Sequence, residues 1–316
     1  MPTLPFEREL QILTEHAWDR EVTWGEITQW AENFSGSHIA KSDEQMNALY
    51  LLTRFMFFSK RLTREMLRAI YRDMLESPLK QKVRRALRDT KNAALIQRLY
   101  DQELKTTRFV AVGNPSESGA HLLYYFRQVN RLSKKLFVDC ASAFRSISPS
   151  AGIARFRPRD LSATRYVFFD DLVGSGNQIS SYLLPYVRGL RAVTPNLDLR
   201  FLALFATSDG MAILNSPAFF NGGAQCLFEL DSSYAIFGRN PRYFSNAPAW
   251  FDSSTLKDVA EHYGQRLEPS MPLGYRDGQL LLGFSHNTPD NTLPIFWNEG
   301  RLSPWEPVFL RYDKVY

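Results

Sequence analysis

The sequence predicts an α/β fold, a mainly parallel sheet with flanking helices, preceded by an α-helical N-terminal region and followed by a C-terminal hood. Three observations predict it. Apolar residues recur at helical spacing behind cap signals through the first hundred positions. From near Arg108 short apolar runs alternate with helical stretches, and from about Ser208 the chain grows richer in Pro, Gly, Asn and aromatic residues. We draw the domains at 1–104 and 105–316, with the hood over about 208–316.

In the N-terminal region Thr23 and Glu26 make a capping box ahead of Ile27, Trp30, Ala31 and Phe34, and Ser42 with Gln45 reads the same way ahead of Met46, Leu49 and Tyr50. A third helix sets Met66, Leu67, Ile70, Tyr71 and Met74 on one side, and Ser77-Pro78 reads as a new helix start, since Pro is tolerated at the first helical position. We read this Met and aromatic stripe as core. Beyond Arg108 the expected strands are Phe109–Val112, Leu136–Val138, Tyr166–Phe169 and Phe201–Phe205, with helices over about Ala120–Leu132 and Asn177–Leu190. A short strand, Gln279–Phe284, is expected in the hood.

Composition narrows the class. The 316 residues are 44% hydrophobic and 22% charged, enough for a sizeable core. No run approaches the roughly 18 uncharged apolar residues of a membrane span. The start MPTLPFEREL lacks the layout of a secretion signal, so a cytoplasmic protein is expected, with no membrane partner. The five histidines are scattered and Cys140 and Cys226 lie far apart, so neither a direct metal site nor a disulfide is expected. Ser175 sits in Gly-Ser-Gly rather than Gly-x-Ser-x-Gly, which argues against a hydrolase elbow. The net charge of +5 is uneven: residues 60–108 hold 14 Lys and Arg against 6 Asp and Glu. That stripe is either a solvated helical face or a surface for nucleic acid or an acidic protein partner.

Chemistry concentrates in Tyr166-Val167-Phe168-Phe169-Asp170-Asp171-Leu172-Val173-Gly174-Ser175-Gly176-Asn177-Gln178-Ile179. Four large apolar residues suit a strand buried on both faces, and two carboxylates follow at its carboxyl end, where open α/β sheets bind ligands. Gly174 and Gly176 let successive amides from about Val173 to Gln178 turn toward one anion at the start of the next helix. Such a loop binds phosphate, and Asp170 and Asp171 would accept hydrogen bonds from the paired hydroxyls of a ribose. The chain has no Walker Gly-Lys-Ser/Thr and its glycines are not spaced as a dinucleotide fingerprint.

This segment resembles the signature of type I phosphoribosyltransferases. The resemblance implies a ribose-binding role for Asp170 and Asp171 and a 5-phosphate loop in Val173, Gly174, Ser175, Gly176, Asn177 and Gln178. The sequence departs from the pattern at Gly174 and Gln178, where Thr is usual, and at Asn177, where Ala is usual. It implies, too, that the loop after the first strand, Asn114-Pro115-Ser116-Glu117-Ser118-Gly119, holds pyrophosphate, although Glu117 stands where a basic residue is frequent; the same loop alone also reads as a helix-capping turn. The stretch Ala141–Arg165, with Arg145, Arg155, Arg157 and Arg159, occupies the place of the family's mobile catalytic loop or is a surface loop rich in arginine. His286, Asn287, Asn291 and Trp297 are candidate base-binding residues under the hood, and His286 read by itself is a structural histidine. The sequence is similar more narrowly to phosphoribosyltransferase-like proteins encoded in bacterial conflict and anti-phage loci, retrons among them.

The expected function is therefore binding of phosphoribosyl pyrophosphate or a related nucleotide and chemistry at the ribose anomeric carbon, a glycosyltransferase with Mg²⁺ carried by the substrate pyrophosphate. The alternatives are a non-catalytic nucleotide sensor whose basic helices bind nucleic acid or protein, and an effector that consumes nucleotides. A homo-oligomer stays open.

Overall fold

Long apolar runs and capped amphipathic segments place the elements of the computed structural model, which describes residues 5–113, 118–150, 153–300 and 304–312. Its strands are β1 (Met56–Phe58), β2 (Thr107–Ala111), β3 (Phe137–Val138), β4 (Phe144–Ser150), β5 (Ile153–Pro158), β6 (Arg165–Val173), β7 (Asp198–Thr207), β8 (Ala224–Leu230) and β9 (Leu282–Phe284). The helices are α1 (Glu7–Ile12), α2 (Trp24–Ala31), α3 (Lys41–Thr53), α4 (Lys60–Ala69), α5 (Ser77–Ala86), α6 (Ala93–Lys105), α7 (Ser118–Val129), α8 (Cys140–Ala143), α9 (Asn177–Val193), α10 (Ser208–Leu214) and α11 (Ser253–Leu267). The chain forms two units, one of residues 64–230 and one built from both chain ends, 1–63 with 231–316. None of the described helices is long and apolar enough to cross a membrane.

In the unit 64–230, five strands pair in the order β3-β2-β6-β7-β8, every neighbour parallel. This is the α/β fold with a mainly parallel sheet that the sequence predicts. Both faces are covered, as an all-parallel sheet requires. On one face Phe126 of α7 meets Phe109 of β2 at 5.2 Å and Phe169 of β6 at 5.0 Å. On the other, Phe168 and Phe201 share a core with Leu183, Val187 and Leu190 of α9. At the amino ends of the strands, buried Arg165 donates to Asp198 at 2.7 Å, to Thr107 Oγ1 at 3.2 Å and to Glu103 at 3.2 Å, tying β6, β7, β2 and α6 together. Burial alone would raise the Asp198 carboxyl, but Arg165 and Arg200 outweigh it and hold it below its ordinary value.

The other unit has little sheet: β1 and β9 pair in parallel with Met56 opposite Leu282, and the tail expected as a hood packs here with the N-terminal helices. An aromatic cluster holds it. Phe55 stacks on Phe309 at 4.0 Å, Trp30 on Phe296 at 5.3 Å, and Phe34 meets Tyr263 edge-on at 5.0 Å. Trp30 and Trp305 both donate to the carbonyl of Ile295, at 2.7 and 3.0 Å.

Several local expectations need correction. The capping box is present at Thr23, whose hydroxyl accepts the Glu26 amide at 3.3 Å while Glu26 accepts the Thr23 amide at 2.6 Å. At Ser42 there is none, because α3 already starts at Lys41 and Gln45 turns inward to donate to the Ala31 carbonyl at 3.1 Å. Glu44 takes the local amides instead, from Gly36 at 2.6 Å, His38 at 2.7 Å and Ile39 at 3.1 Å. The helix start expected at Ser77-Pro78 is where α5 begins, with Pro78 in its first turn, although α5 follows directly on a wide π-helical run, Ile70–Glu76. β1 and β8 were not anticipated. The stretch Ala141–Arg165 is no loop but α8 followed by the antiparallel hairpin β4–β5, in which Phe144 and Phe156 pack on Tyr186 of α9 at 5.9 and 4.6 Å. Arg145, Arg155 and Arg157 hid this, because they alternate with Phe144 and Phe156 and fall on the opposite face.

Candidate functional site

The acidic pair stands where the parallel sheet changes direction. From β2 the chain winds outward to β3, then crosses back so that β6, β7 and β8 add on the other side. The helices after β2 and β6 therefore lie on opposite faces, and the carboxyl ends of those two neighbouring strands frame a crevice, the usual ligand position in such sheets. The last rung between them is Ala111 opposite Phe169, so β6 continues past its neighbour with Asp170 and Asp171.

The pair lies inside the strand rather than beyond it, a correction to the expected end at Phe169. β7 continues alongside, with Asp170 opposite Ala203 and Leu172 opposite Phe205. Because neighbours on a strand alternate, the two half-buried carboxylates leave it on opposite faces. Asp170 Oδ1 accepts the Asp171 amide at 2.9 Å, and Asp171 Oδ1 accepts the Leu172 amide at 2.8 Å.

The loop that follows is held on a defined path. Gly176, the residue before α9, has φ 72°, a left-handed conformation that any Cβ would strain. Thr207 Oγ1 donates to the Gly174 carbonyl at 2.7 Å while accepting the Gly210 amide at 3.0 Å. Gly210 lies so close that a Cβ there would fall 2.5 Å from the Gly174 oxygen. The loop ends in a 17-residue helix whose first-turn amides lie outside its own ladder and whose dipole favours an anion at that end. Ser175 is half-buried, Asn177 is exposed, and Gln178 lies in the first turn of α9.

The second loop is seen at its two ends. Asn114, Pro115, Ser116 and Glu117 lie outside the described residues. Gly119, in the first turn of α7 with Ser118, is pressed against both strands: a Cβ there would meet the Val112 carbonyl at 2.9 Å and the Phe169 carbonyl at 3.4 Å. The Gly113 carbonyl accepts from Tyr182 of α9 at 3.1 Å, so the loops after β2 and β6 are linked through that helix. Thr207, Gly210 and Tyr182 were missed as supports. A signal was available for the first two, since Thr207-Ser208-Asp209-Gly210 after an apolar run reads as a strand feeding a capped helix.

A matching family model, PRTase-CE, spans residues 27–311. The chain belongs to the PRTase-CE family. The match takes in most of both units, so the phosphoribosyltransferase-like family is marked by the aromatic unit as well as by the sheet. No curated protein matches the chain. Among solved structures it is similar to Helicobacter pylori xanthine-guanine-hypoxanthine phosphoribosyltransferase, at 15% identity over 64% of this chain and 96% of that one, with a TM-score of 0.27. It is similar also to orotate phosphoribosyltransferase from Aeropyrum pernix, at 13% identity over 44% of this chain and 72% of that one, with a TM-score of 0.23.

In this PRTase-CE chain the four base-binding candidates belong to the unit of the chain ends. His286 stacks on Phe284 at 5.2 Å, and Asn287 accepts the Tyr312 amide at 3.2 Å. Asn291 and Trp297 are buried, donating to the Tyr275 carbonyl at 3.2 Å and the Thr292 carbonyl at 2.9 Å, with Arg311 over the Trp297 ring. Among the described residues no three His, Cys, Asp or Glu side chains cluster as metal ligands. Burial pushes the thiols of Cys140 and Cys226 up to about 11, so both are neutral and poor nucleophiles.

Proposed function

We propose that the crevice beside β6 binds phosphoribosyl pyrophosphate, or a nucleotide related to it, and that the protein acts at the anomeric carbon of the ribose. The observation that carries the reading is the acidic pair at the open end of the central strand, followed at once by a glycine-hinged turn into a long helix. Asp170 and Asp171, leaving the strand on either side of its tip, would each accept a hydrogen bond from one ribose hydroxyl. The amides from Val173 through Gly174, Ser175, Gly176 and Asn177 to Gln178 would hold the 5-phosphate, with Thr207 and Gly210 fixing the turn as positioning residues. The loop Asn114–Gly119 is proposed for the pyrophosphate.

Departure of pyrophosphate builds positive charge on the ribose ring and negative charge on the leaving oxygens. A site that fixes ribose and phosphate before reaction lowers the barrier through orientation. Half-buried carboxylates near the open end of a strand suit hydroxyl binding better than proton abstraction, so we give them the role of holding the ribose while the acceptor displaces pyrophosphate. Mg²⁺ would arrive as a substrate-borne ion carried by the pyrophosphate, where it would neutralise charge on the leaving group. We extend the proposal to an effector role in anti-phage defence, which the pairing of N-terminal helices with this domain suggests.

A second reading, a nucleotide sensor that docks nucleic acid or a partner protein, is favoured by the end of α5. There Lys82, Arg85, Arg88 and Lys91 are exposed and, among the described residues, have no carboxylate partner, whereas Arg84 reaches Asp89 at 3.5 Å. The test is pyrophosphate release from phosphoribosyl pyrophosphate and Mg²⁺ across a panel of nucleobases. Turnover lost in Asp170→Asn/Asp171→Asn, with an unchanged circular dichroism spectrum, supports the enzyme; turnover equal to wild type sinks it. Binding without turnover of any base, together with salt-sensitive nucleic-acid binding, would favour the sensor.

A further inference from the structure

The unit of the chain ends contains a cavity of about 640 Å³, well inside the size range of small-molecule sites. Its walls include Phe237, Arg239, Arg242, Phe244, Phe251 and Lys257, and no lining residue is acidic. Three cations thus line one volume, and the ion-pair partner of Arg242, Asp231, is not among the lining residues. Lys257 is half-buried and, among the described residues, neither it nor Arg239 has an ion-pair partner. Arg239 and Arg242 are exposed, so the partly desolvated charge without a counter-charge is that of Lys257, and an anionic ligand would relieve it.

The cavity is also built in advance. Arg242 lies over the Tyr234 ring at 3.6 Å and donates to Ser233 Oγ at 2.8 Å, with Asp231 at 3.4 Å, so its guanidinium is held in one plane. The floor is fixed by Gln279, whose backbone carbonyl accepts the Ile236 amide at 3.1 Å and whose side-chain oxygen accepts the Phe237 amide at 3.0 Å. Phe244 and Phe251 pack against each other at 4.5 Å and give one wall an aromatic face. The start of α11 is not the attraction, because Asp252 already caps it by accepting the Thr255 amide at 2.8 Å. The charge comes from the side chains.

We propose that this cavity is a second ligand site that takes a nucleoside phosphate, its base against the phenylalanine wall and its phosphates among Arg239, Arg242 and Lys257. Aromatic wall and convergent cations call for a ligand with both a planar ring and several phosphate charges. None of the residues that line it belongs to the unit that carries β6.

The test is isothermal calorimetry of the full chain with ADP as the probe, with adenosine and inorganic pyrophosphate as the two half-ligands. ADP should bind wild type and Asp170→Asn/Asp171→Asn alike. Binding should weaken on the order of 100-fold in Arg239→Gln/Lys257→Gln, and each half-ligand should bind at least about ten-fold more weakly than ADP. Arg239→Lys/Lys257→Arg, which keeps the charge, should restore most of the affinity and shows that the Gln variant is not simply misfolded. The proposal is overturned if ADP does not bind wild type at millimolar concentration, if the Gln variant binds as wild type does, or if the aspartate variant abolishes ADP binding. Pyrophosphate binding as tightly as ADP would overturn the base-binding wall.

Discussion

The two units solve the same problem, satisfying backbone and burying apolar surface, with different means. In residues 64–230 a five-stranded parallel ladder satisfies the backbone, large apolar residues fill both faces, and an ionic cluster around Arg165 ties the amino ends of the strands. The carboxyl ends carry the acidic pair and the glycine turn. In the unit of the chain ends, among the described residues, only two three-residue strands pair, so side chains turn inward to satisfy irregular backbone: Trp30 and Trp305 on Ile295, Trp297 on Thr292, Glu44 on the amides of Gly36, His38 and Ile39. A polar residue at a strand end of the first unit is thus a candidate for chemistry, whereas a buried one in the second is a structural member. Asp170 and Trp297 illustrate the two cases.

The contrast can be broken at several points. Trp30→Ala should have the largest effect on stability, about 3–5 kcal/mol, because it removes a buried ring and its hydrogen bond together; thermal unfolding checks it, and a loss below about 1 kcal/mol would show that the aromatic cluster is not what holds this unit. Glu44→Ala should cost about 3 kcal/mol by leaving the buried Tyr263 hydroxyl and three part-buried amides without their acceptor.

Glu44 also gives a pH signature. Burial would raise its carboxyl, but the hydrogen bonds from Tyr263 and from the amides of His38, Gly36 and Ile39 outweigh that and hold it below the ordinary value of 4.5. A carboxyl lowered in the folded state stabilises fully above 4.5 and loses that contribution as pH falls through its folded value. The midpoint of thermal unfolding should fall on acidification below about 4.5 in wild type and fall less steeply in Glu44→Gln; equal slopes would contradict the assignment.

In the sheet unit the sharpening substitutions are smaller. Gly210→Ala should displace the turn after β6, costing about 1–3 kcal/mol of stability and weakening ligand binding. Gly176→Ala forces a Cβ into a left-handed residue and should cost about 1 kcal/mol, read by chemical denaturation alongside ligand affinity.

The same difference explains what the sequence discloses. β2, β6 and β7 are legible because a strand buried on both faces is a continuous apolar run, and Asp170-Asp171 stands out as the first polar break in one. β8 escapes notice because Gln225 and Glu229 interrupt its apolar residues, and the β4–β5 hairpin because Arg145, Arg155 and Arg157 on the face opposite Phe144 and Phe156 read as a loop. β1 cannot be read locally, since its partner Leu282–Phe284 lies more than two hundred residues away. For the same reason the joining of the tail to the N-terminal helices is invisible to any local pattern. The acidic pair and its glycine turn are legible as a motif; Thr207, Gly210 and Tyr182 act from other elements, and only the fold brings them to the loop.

The central claim is that the crevice beside β6 holds a phosphoribosyl group. Isothermal calorimetry with phosphoribosyl pyrophosphate and Mg²⁺, on wild type and on Asp170→Asn/Asp171→Asn, tests it most directly. We predict a single binding event in wild type, weakened on the order of 100-fold or more in the variant as two hydroxyl-to-carboxylate hydrogen bonds are lost. No binding to wild type, or equal affinity in both proteins, would contradict the assignment.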